Sequence, residues 1–445
     1  MKWWKKLCAA ALALSMPVLA SAEAKLVDTQ TFARSITLGR ASDTYVTRED
    51  WRDTLRAMDG TALSESYADI SAQEKGLYYE VANENGVNQT GLMDAAGTLL
   101  IPMTYSDFTY VGNGWVVAVT LEETTDEKSD YRAMFGGGHY NVVRGDIYYG
   151  AQKMAEMNRE ETTGASMEVY GAYLFVRLDK SSGFYLKTDG TRTEFTGESF
   201  SRGEYEEIYK QGVYHHPTAQ FAFVPECTLT ADEVSRSVWY DTKTGNFLDL
   251  QGNVLREAVQ DGKPLYGSVG YYGGDYMLTK KDRLSGIVDM TGQEIVPPMY
   301  DTLGGDYAGL LFEGGYQAAL EGGKLRFLTR DGQVSASVDY ELKENDWKGL
   351  TNNAPMIYAE MNGKISVFTA TRGELPTQYE EAARGQAGQE LLAVKQDGLW
   401  GCIGMDGEVV VPFVMKYAPE ISFDGRYVVG STAEGYQLFT ISYGE

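Results

Sequence analysis

The chain is poor in the residues that most often build reactive centres. It holds three cysteines and three histidines in 445 residues. Cys8, Cys227 and Cys402 lie far apart without paired spacing, which argues against a disulfide-stapled scaffold and a structural zinc motif. Cys227 and Cys402 are expected as free thiols packed as small hydrophobes. His139 stands alone, and the adjacent His215 and His216 would point to opposite faces of a strand, a poor geometry for one metal. Eleven prolines against fifty glycines argue against a disordered or polyproline stalk and favour many tight turns. Cations are outnumbered, 39 Lys and Arg against 63 Asp and Glu, for a net charge of −24. Such a chain repels nucleic acid and anionic membrane surfaces.

Long apolar runs are absent beyond the first residues. Lys2, Lys5 and Lys6, an apolar core from Leu7 to Leu19, and Ala20-Ser21-Ala22 read as an export signal over residues 1–22. That core is shorter than the roughly 20 residues of a spanning helix. The expected mature protein is exported (extracellular, periplasmic or envelope-associated) and has no transmembrane segment.

What the chain does have is a recurring phrase. Gly91–Tyr105 reads GLMDAAGTLLIPMTY, Gly286–Tyr300 reads GIVDMTGQEIVPPMY, and Trp400–Phe413 reads WGCIGMDGEVVVPF. Aligned on Gly97, Gly292 and Gly407, the prolines Pro102, Pro297 and Pro412 share one offset. A tyrosine follows Gly97, Gly292 and Gly332 at a fixed distance: Tyr105, Tyr300 and Tyr340. Weaker hairpin glycines bring the visible units to eight, with nine or ten allowed by two long gaps. Each glycine is expected to supply the positive φ of a primed hairpin turn, and each proline to mark a strand end or an edge. Units of about 40 residues, each of about three short strands, predict an all-β, β-propeller-like repeat array. The alternative is an open, solenoid-like hairpin array, which needs a cap at each end.

The run DGLWG, a hairpin, then GEVVVP resembles the WG (KWG) β repeat of bacterial exported proteins. Trp400-Gly401 carries the resemblance best, while Ser285-Gly286 and Thr90-Gly91 keep only the glycine. The resemblance implies a repeat array over roughly residues 50–445 and brings no catalytic residues with it.

Residues 23–58 read as a leader that could supply a closing strand, with a short helix over Tyr45–Met58 capped by Thr47. Residues 59–445 form the repeat domain, interrupted by irregular insertions at 121–170 and 200–235. The first insertion carries the acidic run Glu122, Glu123, Asp126, Glu127 and Asp130, the triplet Gly136–Gly138, and a helix-like stretch from Gly150 to Glu161. The acidic run lacks the spacing of a calcium loop and reads as a solvated face. The glycine triplet has neither a phosphate-loop lysine nor a nucleophile elbow and reads as a hinge.

The glycine-flanked pairs Tyr148-Tyr149 and Tyr271-Tyr272 are the candidate exposed stacking surfaces, against the common use of tyrosine in cores. No cofactor or metal site is expected. The functional expectation is a binding or interaction module at the cell envelope for a protein or glycan partner. The alternatives are a propeller-type glycan hydrolase using a carboxylate pair and a purely structural envelope protein.

Overall fold

The computed structural model describes residues 24–443, apart from 40–42, 74–77, 84–85, 113, 127, 133–137, 171–172, 179–181, 197–212, 216–237, 250–252, 272–274, 304–310, 342–346, 349–354, 384–389 and 423. The expected signal, Cys227, His216, Tyr272 and nearly all of the insertion at 200–235 therefore lie outside the described residues.

The described chain is all-β, cut into small antiparallel sheets. Eight have four strands, one has five, one has three, and a two-stranded hairpin (Val259–Pro264) stands beside them. We number the ten larger sheets as blades. Blade 1 spans Ile36–Ala57, blade 2 Asp69–Tyr105, blade 3 Asp107–Asn158 and blade 4 Ser166–Thr196. Blade 5 spans Val213–Glu257, blade 6 Ser268–Tyr300, blade 7 Thr302–Glu341, blade 8 Trp347–Tyr379 and blade 9 Glu381–Met415. Blade 10 takes Glu420–Tyr443 and, as its fourth strand, Ala24–Phe32 from the other end of the chain. Leu26 faces Ile441 and Thr31 faces Gln437 in that antiparallel pair.

No blade buries its faces alone. Leu92, Tyr105, Val116 and Tyr148 join blades 2 and 3, and Ile287, Tyr300, Leu303 and Phe312 join blades 6 and 7. Blade 10 packs on both sides: Val428, Phe439 and Ile441 meet Leu391 and Cys402 of blade 9, while Val429 and Leu438 meet Ile36, Leu38 and Tyr45 of blade 1. Both chain ends therefore sit in one sheet flanked by the sheets before and after it. The strand edge that Tyr436–Tyr443 would expose is covered.

The repeat is a four-strand meander, one strand more than the expected three. The missed strand is the first, reduced to two residues in Thr302–Leu303, Trp347–Lys348, Glu381–Ala382 and Glu420–Ile421. The recurring phrase covers strands three and four. Its hairpin is not the expected primed turn. The Gly97 N–H donates to Asp94 O at 3.0 Å and the Asp94 N–H to Thr98 O at 2.9 Å, with Gly97 at φ 84°. This is a type I turn closed by a left-handed glycine, a common three-residue hairpin loop. Gly292, Gly332 and Gly407 repeat it. Primed two-residue turns do occur, between strands two and three, as at Asp397-Gly398 (φ 52° and 78°).

Tryptophan-glycine and proline belong to one device. In blade 9, Trp400 pairs with Met415 but Cys402 with Val411, so strand four carries two extra residues in a bulge. A Cβ on Gly401 would lie 2.7 Å from Val411 O; the glycine lets the bulge press against strand three. Pro412 sits in that bulge, where no ladder donor is needed. Blades 2 and 6 repeat the geometry with Gly91 and Pro102, and Gly286 and Pro297.

Two helix expectations fail. Tyr45–Met58 forms a hairpin, Thr44–Glu49 against Arg52–Ala57, because Tyr45, Val46 and Leu55 are buried and Arg48 pairs across to Asp53. From Gly150 onward the chain continues as strand Gln152–Asn158, paired to His139–Tyr149 with Met157 buried. Only Arg159–Gly164 is helical, started by an Asn158–Glu161 capping box. The stretch 121–170 is thus an enlarged blade 3 running into blade 4, because strands of ten and eleven residues overshoot the usual length.

Candidate functional site

Antiparallel strands alternate direction. The entry to strand one and the turn between strands two and three therefore share one face of the array, while the turn between strands three and four lies on the other. On the first face, where blades 10, 1 and 2 meet, lies a cleft of 550 Å³. Its floor is apolar, from Leu38, Val46 and Ile70, all buried. Its walls are polar, from Arg48, Asp53, Asp69 and Glu420.

The hairpin of blade 1 places the central pair. Arg48 and Asp53 face each other in register, and the guanidinium grips the carboxylate with two bonds, Nε to Oδ1 at 2.7 Å and Nη2 to Oδ2 at 2.8 Å. Asp53 is 4% exposed, and its Oδ2 also accepts the Ile70 N–H at 3.1 Å, joining blade 1 to blade 2. Such two-pronged geometry is the strong form of the ion pair. Arg48 Nη2 reaches on to Asp69 Oδ1 at 3.1 Å. The Asp53 hydrogen bond and charge, aided by Asp69, hold the guanidinium still more firmly charged than usual. From blade 10, Glu420 Oε2 accepts the Leu38 N–H at 3.2 Å, a contact across 382 residues of sequence. That N–H belongs to strand one of blade 1, so the carboxylate also caps an exposed strand edge.

Two aromatic side chains on this face are open to solvent. Trp51 is 87% exposed and Tyr417 is 72% exposed. Trp51 occupies the second turn position of the blade 1 hairpin at φ 64°, where Gly323, Gly363 and Gly398 serve the matching turns of blades 7, 8 and 9, and Arg283, at φ 73°, that of blade 6. A bulky residue there is strained. Tyr417 lies in the connection leading to Glu420, on the same face.

Asp69 links the cleft to a second acidic position. Glu80, on strand two of blade 2, accepts a hydrogen bond from the Tyr110 hydroxyl of blade 3 at 3.1 Å. Burial pushes its carboxyl up to about 7; Asp107 and Asp69 add to the rise and the Tyr110 bond opposes it.

The residues singled out from sequence are mostly structural. Gly97, Gly292, Gly332 and Gly407 each press on the preceding blade; a Cβ at Gly332 would overlap the Ile295 carbonyl. Tyr105 and Tyr300 end strand four, buried; Tyr340 lies in the matching strand Val334–Glu341. Tyr148 is 6% exposed, with its hydroxyl 2.8 Å from that of Tyr105, so its ring is part of a core and not an open surface. Tyr149 is partly open, 5.0 Å from the Trp115 ring, on the face opposite the cleft. Tyr271 ends strand one of blade 6. His139 Nδ1 lies 2.9 Å from Ser129 Oγ, and His215 pairs with Trp239 in blade 5. Asp130 of the acidic run accepts the Val142 N–H and pairs with Arg159. Cys402 is a buried free thiol, pushed up to about 12 by that burial.

Sequence reasoning missed the cleft. The available signals were Trp51 in a glycine position and two arginines, Arg48 and Arg52, bracketing the turn.

A family described as WG containing repeat matches residues 286–312, the third and fourth strands of blade 6 and the start of blade 7. No curated protein matches the chain. Among solved structures it is similar to a eukaryotic initiation factor, at 11% identity and TM-score 0.38, over 82% of this chain and 94% of that one. It is similar also to BamB from Moraxella catarrhalis, at 10% identity and TM-score 0.28, over 94% and 98%. A third is the C-terminal WD40 domain of Sif2, at 9% identity and TM-score 0.27, over 95% and 99%. The chain is an all-β, propeller-like repeat protein carrying a WG repeat. No helix among the described residues is long and apolar enough to cross a membrane.

Proposed function

We propose that this protein is a binding module that docks a partner in the cleft where blades 10, 1 and 2 meet. The expected setting is the cell envelope, following the export signal read at residues 1–22. One observation supports the reading: an exposed tryptophan occupies a strained, positive-φ turn position of the hairpin whose Arg48 and Asp53 line a cleft of ligand-binding size, 550 Å³. Trp51 contributes little to any core at 87% exposure, so its strain is unrewarded within the isolated fold. Strained positions held without local benefit concentrate at binding sites, and tryptophan is favoured at the centres of interfaces. The repeats act as a rigid frame, and the turns of one face carry recognition.

Photo-crosslinking tests this. A benzophenone side chain replacing Trp51, or Ala96 on the opposite face as the control, is exposed to a random heptapeptide library. Selective adducts at position 51 are expected. Equal yields at both positions refute the docking site.

A further inference from the structure

We propose that Asn362-Gly363 is a site of spontaneous modification, where the asparagine becomes aspartate or isoaspartate by way of a cyclic succinimide. The two residues form the turn between strands two and three of blade 8, Met356–Met361 and Lys364–Thr369, with Met361 paired to Lys364. Both lie in the left-handed region, at φ 55° and 75°, and both are exposed. This is the primed two-residue turn that asparagine-glycine favours.

The reaction needs an amide that can lose ammonia and a backbone nitrogen free to attack it, which makes asparagine a thermolabile residue. The Gly363 nitrogen bonds to the side-chain carbonyl carbon of Asn362 and closes the ring. The side-chain nitrogen takes the proton that Gly363 gives up and leaves as ammonia. Water then opens the ring. Opening at the side-chain carbonyl leaves aspartate; opening at the main-chain carbonyl leaves isoaspartate, with the chain rerouted through Cγ. Water is the only co-reactant, and each product adds a carboxylate to the face that carries the cleft.

The matching turns show what sets blade 8 apart. The Gly323 N–H of blade 7 donates to Asp301 Oδ2 at 3.3 Å, and the Gly398 N–H of blade 9 donates to Glu380 Oε2 at 3.1 Å. Those nitrogens are committed as donors. The Gly363 N–H has no partner among the described residues, and glycine has no side chain to shield it. In blades 1, 6 and 9 the first turn position is already aspartate: Asp50, Asp282 and Asp397, at φ 49°, 50° and 52°. The aspartate product therefore suits the turn. Isoaspartate inserts a further main-chain carbon into a two-residue loop and disturbs the pairing of Met361 with Lys364.

The test holds the full chain folded in mildly alkaline buffer at body temperature, beside the same chain in urea. Mass spectrometry follows the tryptic peptide ending at Lys364, and an isoaspartate-specific methyltransferase reports the rerouted product. Exposed turns open locally at little cost, so the folded chain is expected to convert Asn362 within about tenfold of the rate in urea. The rate should rise with pH, because the attacking nitrogen must lose its proton. Asn362→Gln, which has to close a larger ring, should stay unconverted over the same period. Asn362→Asp should keep the wild-type denaturation midpoint, and the separated isoaspartate form should denature earlier.

An asparagine that stays intact in the folded chain, whether or not it converts in urea, overturns the proposal. A lowered midpoint for Asn362→Asp overturns the assignment of aspartate as the product that the turn accepts.

Discussion

The Tyr105 hydroxyl donates a 2.7 Å hydrogen bond to Oδ2 of Asp146, a carboxylate with no solvent exposure. Tyr105 closes strand four of blade 2, and Asp146 belongs to blade 3. Lys153 Nζ, 2.9 Å from Oδ1, and Arg144, 3.4 Å from Oδ2, offset the charge from the solvent side. The repeat tyrosine thus fastens one blade to the next.

Tyr105→Phe removes that donor and keeps the ring. A hydrogen bond to a charged group contributes about 1.5–3 kcal/mol, so the variant should lose a stability of that order. Urea denaturation followed by tyrosine and tryptophan fluorescence measures it. An unchanged midpoint would show that Lys153 and Arg144 satisfy Asp146 by themselves.

The lost tryptophans of the weaker repeats have a physical explanation, and it is testable. The residue before each repeat glycine pairs across the bulge with the end of strand four. These pairs are Trp400 with Met415, Ser285 with Tyr300, and Thr90 with Tyr105. A large side chain on one strand accompanies a smaller or flexible one opposite. Trp400→Ser alone should cost about 3–5 kcal/mol through the cavity it leaves. Adding Met415→Tyr recreates the blade 6 pairing and should recover part of that loss. A double-mutant cycle gives the coupling; strict additivity would refute the exchange.

Glu80 should make stability depend on pH around neutrality. Its carboxyl is raised from 4.5 to about 7, chiefly by burial, with Asp107 and Asp69 contributing. Between those values the folded chain holds a proton that the unfolded chain has released. Stability from this group is therefore full below pH 4.5, falls as pH rises toward 7, and falls no further above it. Glu80→Gln should flatten the pH dependence of the denaturation midpoint across that window. Parallel profiles for variant and wild type would exclude Glu80 as the source.

Much of the frame was legible in the sequence. Gly97, Gly292 and Gly407 with their prolines announce hairpins, because positive φ and a missing donor restrict residue choice sharply. Strand one was not legible, since two residues such as Glu381-Ala382 cannot display a periodicity. The hairpin at Thr44–Ala57 was hidden by its charges: Arg48, Glu49, Asp50, Arg52 and Asp53 suit an exposed helix as well as a turn. The cleft could not be read at all. Glu420 and Leu38 meet only because the chain returns to its beginning, and no local pattern records such a return.

Removing residues 24–32 should expose the outer edge of Tyr436–Tyr443. Unpaired edges recruit other strands, so the shortened protein should melt several degrees lower and self-associate. Calorimetry and size-exclusion chromatography with light scattering decide the matter. A monomer with an unchanged melting temperature would show that the pairing is dispensable.

The pairing of Ala24–Phe32 with Tyr436–Tyr443 also sets an order of events during biosynthesis. Ala24–Phe32 is made long before its partner, so it stays unsatisfied until Tyr436–Tyr443 has emerged. Blades 2 to 9 hold all their described strands locally and are free to form as they emerge, whereas blade 10 forms only once Tyr436–Tyr443 is available to Ala24–Phe32. The docking cleft spans blades 10, 1 and 2. It therefore comes into being only when blade 10 joins blade 1, and a chain stalled before Glu420 carries the repeats but no complete cleft.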